Sequence, residues 1–164
     1  MSKSEKNYLE IARIRVCGLL VEKGGLLLIR HKNLGPSGHT WLPPGGGIEF
    51  GESAEGALQR EFEEETGLQV EIERFMFVNE YRDEKYHAIE LFFKVKRVAG
   101  VEKIGLDPEF TEENQILEEI GWFTPEEWNS LAREELHNSL VGVDTLQKLN
   151  ELKGFLKFRN ISVK

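Results

Sequence analysis

Three successive glycines, Gly45-Gly46-Gly47, lead into a segment carrying Glu61, Glu64 and Glu65, and this stretch constrains the chain most. Ser53 is a good helix N-cap, and Gly67 is a natural stop, so a helix is predicted over Ala54–Thr66. On that helix Glu61, Glu64 and Glu65 stand at i, i+3 and i+4 and share one face. Each pair repels by a few tenths of a kcal/mol when solvated, and by more when partly buried. Two readings fit: a charged, solvated helix surface, or a site where a divalent cation turns the repulsion into affinity. An oxygen-only donor set of this charge suits Mg²⁺, with Mn²⁺ as a substitute. The glycine loop lets backbone approach a ligand closely. Glu52 lies eight residues before Arg60, spaced to pair with it and tie loop to helix.

The remainder predicts one domain of mixed strands and helices, an α/β (α+β) chain with no repeat. Strands are predicted over 11–21 and 26–30, joined by the turn Glu22-Lys23-Gly24-Gly25. Residues 32–40 read as a loop. Two long strands follow at 68–81 and 87–98, the second with the period-two pattern Ile89-Leu91-Phe93-Val95. A polar loop spans 100–114 and a strand 116–123. Thr124-Pro125-Glu126-Glu127 carries a capping box that starts a helix. A further helix is predicted over 135–152, where Leu140, Val143, Leu146 and Leu149 lie near helical spacing. Residues 1–10 read as a flexible start, 11–152 as the domain, and 153–164 as a strand or tail packed on the domain or on a dimer partner.

With 21 basic and 29 acidic residues the net charge is −8, which argues against a general nucleic-acid binder. No apolar run reaches membrane-spanning length. The run Val16–Val21 is too short for a secretory signal, and Cys17 is the single cysteine, so a cytoplasmic, reducing setting is predicted. Cys17 itself reads as a small core residue.

Gly46, Glu52, Arg60, Glu61, Phe62, Glu64, Glu65, Gly67 and Leu68 fill all nine specified positions of G-x5-E-x7-R-E-U-x-E-E-x-G-U, where U is bulky and apolar. This resembles the box of the Nudix hydrolases, the family of MutT-like pyrophosphohydrolases. The resemblance implies an α/β/α sandwich with a mixed sheet and a loop–helix–loop catalytic box. It implies hydrolysis of a pyrophosphate linkage in a nucleoside diphosphate joined to another moiety. Carried over by position, Glu61, Glu64 and Glu65 would hold Mg²⁺ with the carbonyl of Gly45, while Glu52 and Arg60 would hold the box together. Water would attack one phosphorus and a carboxylate would take its proton. Glu64 and Glu119 are the main candidates for that role, and Glu118 is a lesser one. Glu119 stands three residues before Trp122-Phe123, which resembles a late-strand pattern of the family; the bland alternative is a solvated strand carboxylate.

Substrate is less legible. The downstream NADH-type and upstream coenzyme A-type signatures are absent, and no proline lies between Pro44 and Pro108 to match the ADP-ribose marker. A nucleoside triphosphate or related nucleotide is the reading adopted. ADP-ribose or a nucleotide sugar is its alternative, and a non-catalytic nucleotide sensor is the alternative of another class. Arg30 and Lys32 end a strand where they could meet phosphates. Trp41 fits either a core position or a stacking platform; Tyr81 and Arg82 fit either a hairpin rim or contacts to base and phosphate. Homodimers are frequent in the family, so a second copy is a further expected partner.

Overall fold

A computed structural model describes residues 11–108 and 110–156. The flexible start expected at 1–10, and residues 157–164 of the expected tail, lie outside the described residues. The strands are β1 (Ala12–Glu22), β2 (Gly25–Lys32), β3 (His39–Leu42), β4 (Gly45–Gly47), β5 (Leu68–Arg82), β6 (His87–Gly100), β7 (Leu117–Phe123) and β8 (Gly154–Leu156). Helices α1 (Ala54–Thr66), α2 (Pro125–Ser130) and α3 (Leu146–Glu151) join them. The sheet runs β3-β2-β1-β6-β5-β8, with β4 added on β1 and β7 on β2. It is mixed: β1 pairs parallel with β6 and β5 parallel with β8, while β1–β2 and β5–β6 are antiparallel.

Side chains alternate across a strand, so each central strand feeds two cores. Val16, Leu20 and Leu27 pack with Leu58 and Phe62 of α1 on one face. Cys17, Leu19, Leu26, Leu28 and Phe92 pack with Trp128, Leu136, Leu140 and Leu149 of the C-terminal segment on the other. Gly18 is needed where β1 passes under α1, because a Cβ there would lie 2.5 Å from the Phe62 ring. The result is the expected sandwich.

α1 begins and ends as its sequence predicts. The Ser53 hydroxyl accepts from the Gly56 N–H, and Gly67 closes the helix at φ 71° with its N–H on the Glu63 carbonyl. Its buried face is Leu58, Phe62 and Glu65. A carboxylate thus occupies a core-facing position.

The continuous helix expected over 135–152 is not formed. The segment holds two 3-10 turns, Arg133–Glu135 and Asn138–Leu140, before the six-residue α3. Local bonds break it: the Ser139 N–H reaches the His137 ring, Gly142 turns at φ 76°, and Thr145 caps a new start at the Lys148 N–H. Two short strands were also not anticipated: Trp41 and Leu42 belong to β3, and the glycine run itself forms β4 against β1.

Candidate active site

The glycine run enters as an edge strand because only glycine fits it. A Cβ at Gly45 would lie 2.0 Å from the Val16 carbonyl oxygen, and one at Gly46 would lie 2.2 to 2.5 Å from the carboxyl group of Glu61. Backbone and carboxylates therefore meet directly. The Gly45 N–H donates to Glu65 Oε2 at 3.0 Å, and the Gly45 carbonyl accepts from Arg15 Nη2 at 3.2 Å.

Arg60 organises the box. Its guanidinium forks onto Glu52, Nε to Oε1 at 2.8 Å and Nη2 to Oε2 at 2.9 Å, and Nη2 also reaches the Gly47 carbonyl at 3.2 Å. This is the loop-to-helix tie that the Glu52–Arg60 spacing implied. Nη1 of Arg60 contacts Glu61 at 2.9 Å and Glu64 at 3.2 Å. The three carboxylates thus differ in setting: Glu65 is buried, Glu61 mostly covered, and Glu64 the most exposed, at 30% of its side chain. Burial, reinforced by the charge of Glu61, pushes the Glu65 carboxyl well above the ordinary carboxylate range. Burial also raises Glu61, against the pull of Arg60. Among the described residues no three acidic, His or Cys side chains are already gathered around one point, because Arg60 draws Glu61 and Glu64 to itself. The donor set nevertheless fits a hard divalent cation: carboxylate and carbonyl oxygens, one carboxylate buried at a charge cost, and a backbone without Cβ beside them.

The box lines one side of a cavity of about 470 Å³. That volume lies within the usual range for small-molecule sites. Besides Arg60, the wall carries Arg13, Arg15, Lys32 and Lys85, so an acidic chain presents five Arg and Lys side chains to one space. Asp107 and Pro108 close another side. The loop bearing them is held to the end of α1, with the Lys103 N–H on Thr66 O at 2.9 Å and the Gly105 N–H on Glu65 O at 2.7 Å.

Residues named outside the box fare differently. Tyr81 lines the cavity, buried, with its hydroxyl on Asp83 at 2.9 Å. Burial, then the charge of Asp83, pushes its phenol up. Arg82 ends β5 exposed and outside the cavity lining. Trp41 is 7% exposed, sits edge-on to Phe123 at 4.7 Å between ring centroids, and belongs to the core. Arg30 does not line the cavity either; it faces Glu118 at 3.6 Å, and Glu118 also contacts His39 at 2.7 Å. Glu119 pairs opposite Arg30, whereas its neighbours Ile120 and Trp122 pack on the α1 side. Strand alternation therefore turns Glu119 away from α1, and it lies exposed outside the cavity.

Sequence reasoning missed Arg15, His31, Glu90 and His137, all of which line the cavity. The available signal was a charge interrupting a buried strand face, Glu90 between Ala88 and Phe92. His31 is pushed down to about 3, by burial first and by Arg15 second. It stays neutral in the fold while the unfolded chain takes up a proton below its ordinary value near 6.5. The unfolded state then binds more protons, so stability falls as pH falls through this window. Between pH 6.5 and 5.5 the loss expected from this ring is about 1 kcal/mol. Urea unfolding at the two pH values, compared with His31→Asn, checks it: the variant's change should be smaller by that amount.

The fold and this site define a Nudix-type domain, and comparison with known proteins agrees. The NUDIX domain family model matches residues 11–143. This chain belongs to the Nudix hydrolase family. A MutT-like protein of Streptomyces ambofaciens is 33% identical over 115 residues, covering 70% of this chain and 65% of that protein. An ADP-ribose pyrophosphatase of Methanocaldococcus jannaschii is 35% identical over 107 residues, 64% of this chain and 62% of that protein. The chain thus spans slightly less than two thirds of these two relatives. Nucleoside triphosphatase NudI of Enterobacter sp. (strain 638) is 31% identical over 129 residues, 75% of this chain and 89% of that protein. Among solved structures, a NUDIX hydrolase from Nitrosomonas europaea superposes with a TM-score of 0.67 at 18% identity, covering 86% of this chain and 88% of that one. A MutT NUDIX hydrolase from Burkholderia pseudomallei gives 0.63 at 24% identity, covering 84% and 99%. Among the described residues no helix is long and apolar enough to cross a membrane.

Proposed function

We propose that this chain is a Mg²⁺-dependent pyrophosphohydrolase acting on a nucleoside triphosphate or a related nucleotide, in the cytoplasm. The observation that carries the reading is the complete box seen as one assembly: Glu65 on the Gly45 N–H, Glu61 against Gly46 and Glu64 on Arg60, with Arg60 forked onto Glu52, on the wall of a cavity that Arg13, Arg15, Lys32 and Lys85 also line. Glu61, Glu65 and the Gly45 carbonyl would hold the ion, with Glu64 completing the set. Bound there, Mg²⁺ or Mn²⁺ supplies charge neutralisation of the phosphate oxygens. Arg13, Lys32 and Lys85 draw the phosphate chain against the box. Glu64, the most accessible of the three carboxylates, takes the proton of the attacking water. Glu52 and Arg60 are positioning residues: they fix the loop, and through it the Gly45 carbonyl. Glu119 is left out of the reaction, because it stands outside the cavity.

The test is turnover of a panel by the pure protein with Mg²⁺ and with EDTA: nucleoside triphosphates, ADP-ribose, nucleotide sugars and dinucleoside polyphosphates, with products separated by chromatography. Metal-dependent release of a nucleoside monophosphate or diphosphate from a nucleoside triphosphate is the expected result. Preferential cleavage of ADP-ribose would shift the substrate to the alternative. Nucleotide binding without cleavage of any substrate would overturn the enzyme reading in favour of a sensor.

A further inference from the structure

The cavity also carries a buried polar cluster on β6 and the C-terminal segment. Glu90 on β6 has a side chain with no exposed surface, yet it lines the cavity. One carboxylate oxygen, Oε2, accepts from the Asn79 amide at 2.9 Å and faces His137 Nε2 at 3.1 Å. The Asn79 amide also donates to Asn138 Oδ1 at 3.0 Å, which anchors the C-terminal segment to this spot. Nδ1 of His137 is taken up by Ser139, and its ring stacks on Tyr81 at 5.4 Å. The other carboxylate oxygen, Oε1, has no hydrogen-bond partner; its nearest cation, Arg15 Nη1, stands 3.9 Å away, beyond hydrogen-bond reach.

Such a cluster is costly. A buried carboxylate with an open acceptor forfeits its hydration, and a buried ion pair seldom repays that cost in stability. Among the described residues, the buried side-chain polar atoms left without a hydrogen bond belong to His31, Glu90 and His137, and all three residues line this one cavity. His31 adjoins the box, 3.8 Å from Glu65. Glu90 and His137 face each other, at 3.1 Å. Parallel pairing of β1 with β6 sets Arg15 directly beside Glu90, so a charged donor and an open acceptor lie next to each other.

We propose that Glu90 and Arg15 are the base-recognition residues of the cavity, reading the donor–acceptor edge that distinguishes a nucleobase from a bare sugar phosphate. Every natural base offers an N–H donor next to a ring nitrogen or carbonyl acceptor. The N–H donates to Glu90 Oε1 and the acceptor receives from Arg15. A phosphate is excluded from this position by the carboxylate. The flat Tyr81–His137 stack and the apolar Leu42 suit a planar heterocycle better than a sugar ring. Arg15 also holds the Gly45 carbonyl, so one side chain touches both the base site and the box. The inference rests on reading the cavity as a nucleotide site.

The test is binding, not turnover. Calorimetric titration without divalent metal compares AMP, GMP, CMP and UMP with ribose 5-phosphate. At least one nucleotide is expected to bind about tenfold or more tightly than ribose 5-phosphate. In Glu90→Gln that margin should vanish while ribose 5-phosphate binding is unchanged. A second measurement uses the wild-type protein and the preferred nucleotide methylated at its donor nitrogen, which should bind as weakly as ribose 5-phosphate. It decides the matter if Glu90→Gln does not fold. No margin in the wild type, a margin that survives in the variant, or full-strength binding of the methylated nucleotide would each overturn the inference. A Glu90-dependent margin in a protein that hydrolyses nothing would remove the proposed reaction and leave this inference standing.

Discussion

Replacing Glu64 by glutamine is expected to lower kcat by about 10²- to 10⁴-fold, the range lost when a positioned proton acceptor is removed. The expectation follows from its setting. Glu64 lines the cavity beside Glu61 and Glu65 but is the most exposed of the three, tied by one 3.2 Å bond to Arg60. Glutamine keeps the volume and can still meet the guanidinium through its oxygen. Stability should therefore stay within about 0.5 kcal/mol of the parent, as for most surface changes. KM should move little, since Arg13, Lys32 and Lys85 are untouched. Steady-state kinetics with a thermal melt separate the two effects. Glu119→Gln is the control: exposed and outside the cavity, it should leave kcat unchanged. A Glu64→Gln enzyme with kcat near the parent's, or a Glu119→Gln enzyme that has lost activity, would contradict these roles.

Gly105→Ala is expected to cost about 3 kcal/mol or more, because overpacking here falls on backbone. A Cβ at Gly105 would lie 1.7 Å from the Glu64 carbonyl oxygen and 2.9 Å from the Glu65 Cα. No rotamer change can relieve that contact; the loop must lift from α1. Lifting it breaks the bonds from Gly105 to Glu65 O and from Lys103 to Thr66 O, leaving two carbonyls at the helix end without partners. The expected fall in Tm is about 10 °C for a chain of this size. Activity should fall as well, since Asp107 and Pro108 line the cavity two and three residues further on. A Tm within a degree or two of the parent's would show that the loop is not held as described.

These two positions differ in how far the sequence exposes them. The box is legible because helix geometry alone brings Glu61, Glu64 and Glu65 together, and because Ser53 and Gly67 mark the helix ends. Gly105 is opaque: nothing local says that its loop returns to α1. The base end of the cavity is opaque for the same reason, since Arg15 and Glu90 meet only through the parallel β1–β6 pairing. Glu119 shows a third case. Its residue type and distance from Trp122 invite a catalytic role, but its face is fixed by the register with β2, which turns it outward. The C-terminal segment misleads because Leu140, Val143, Leu146 and Leu149 keep near-helical spacing while side-chain bonds at His137 and Thr145, with the turn at Gly142, cut the chain into short pieces. The spacing there reflects one buried face of an irregular segment.

The central claim is that the box carboxylates hold a divalent cation, and calorimetric titration of the protein with Mg²⁺ and Mn²⁺ tests it most directly. The parent is expected to bind either ion saturably and to gain thermal stability as it does, since an ion bound only by the native state stabilises it. Glu61→Gln and Glu65→Gln should each weaken that binding about tenfold or more and remove most of the gain in Tm. Unchanged affinity in both variants, or no binding by the parent at millimolar metal, would contradict the claim.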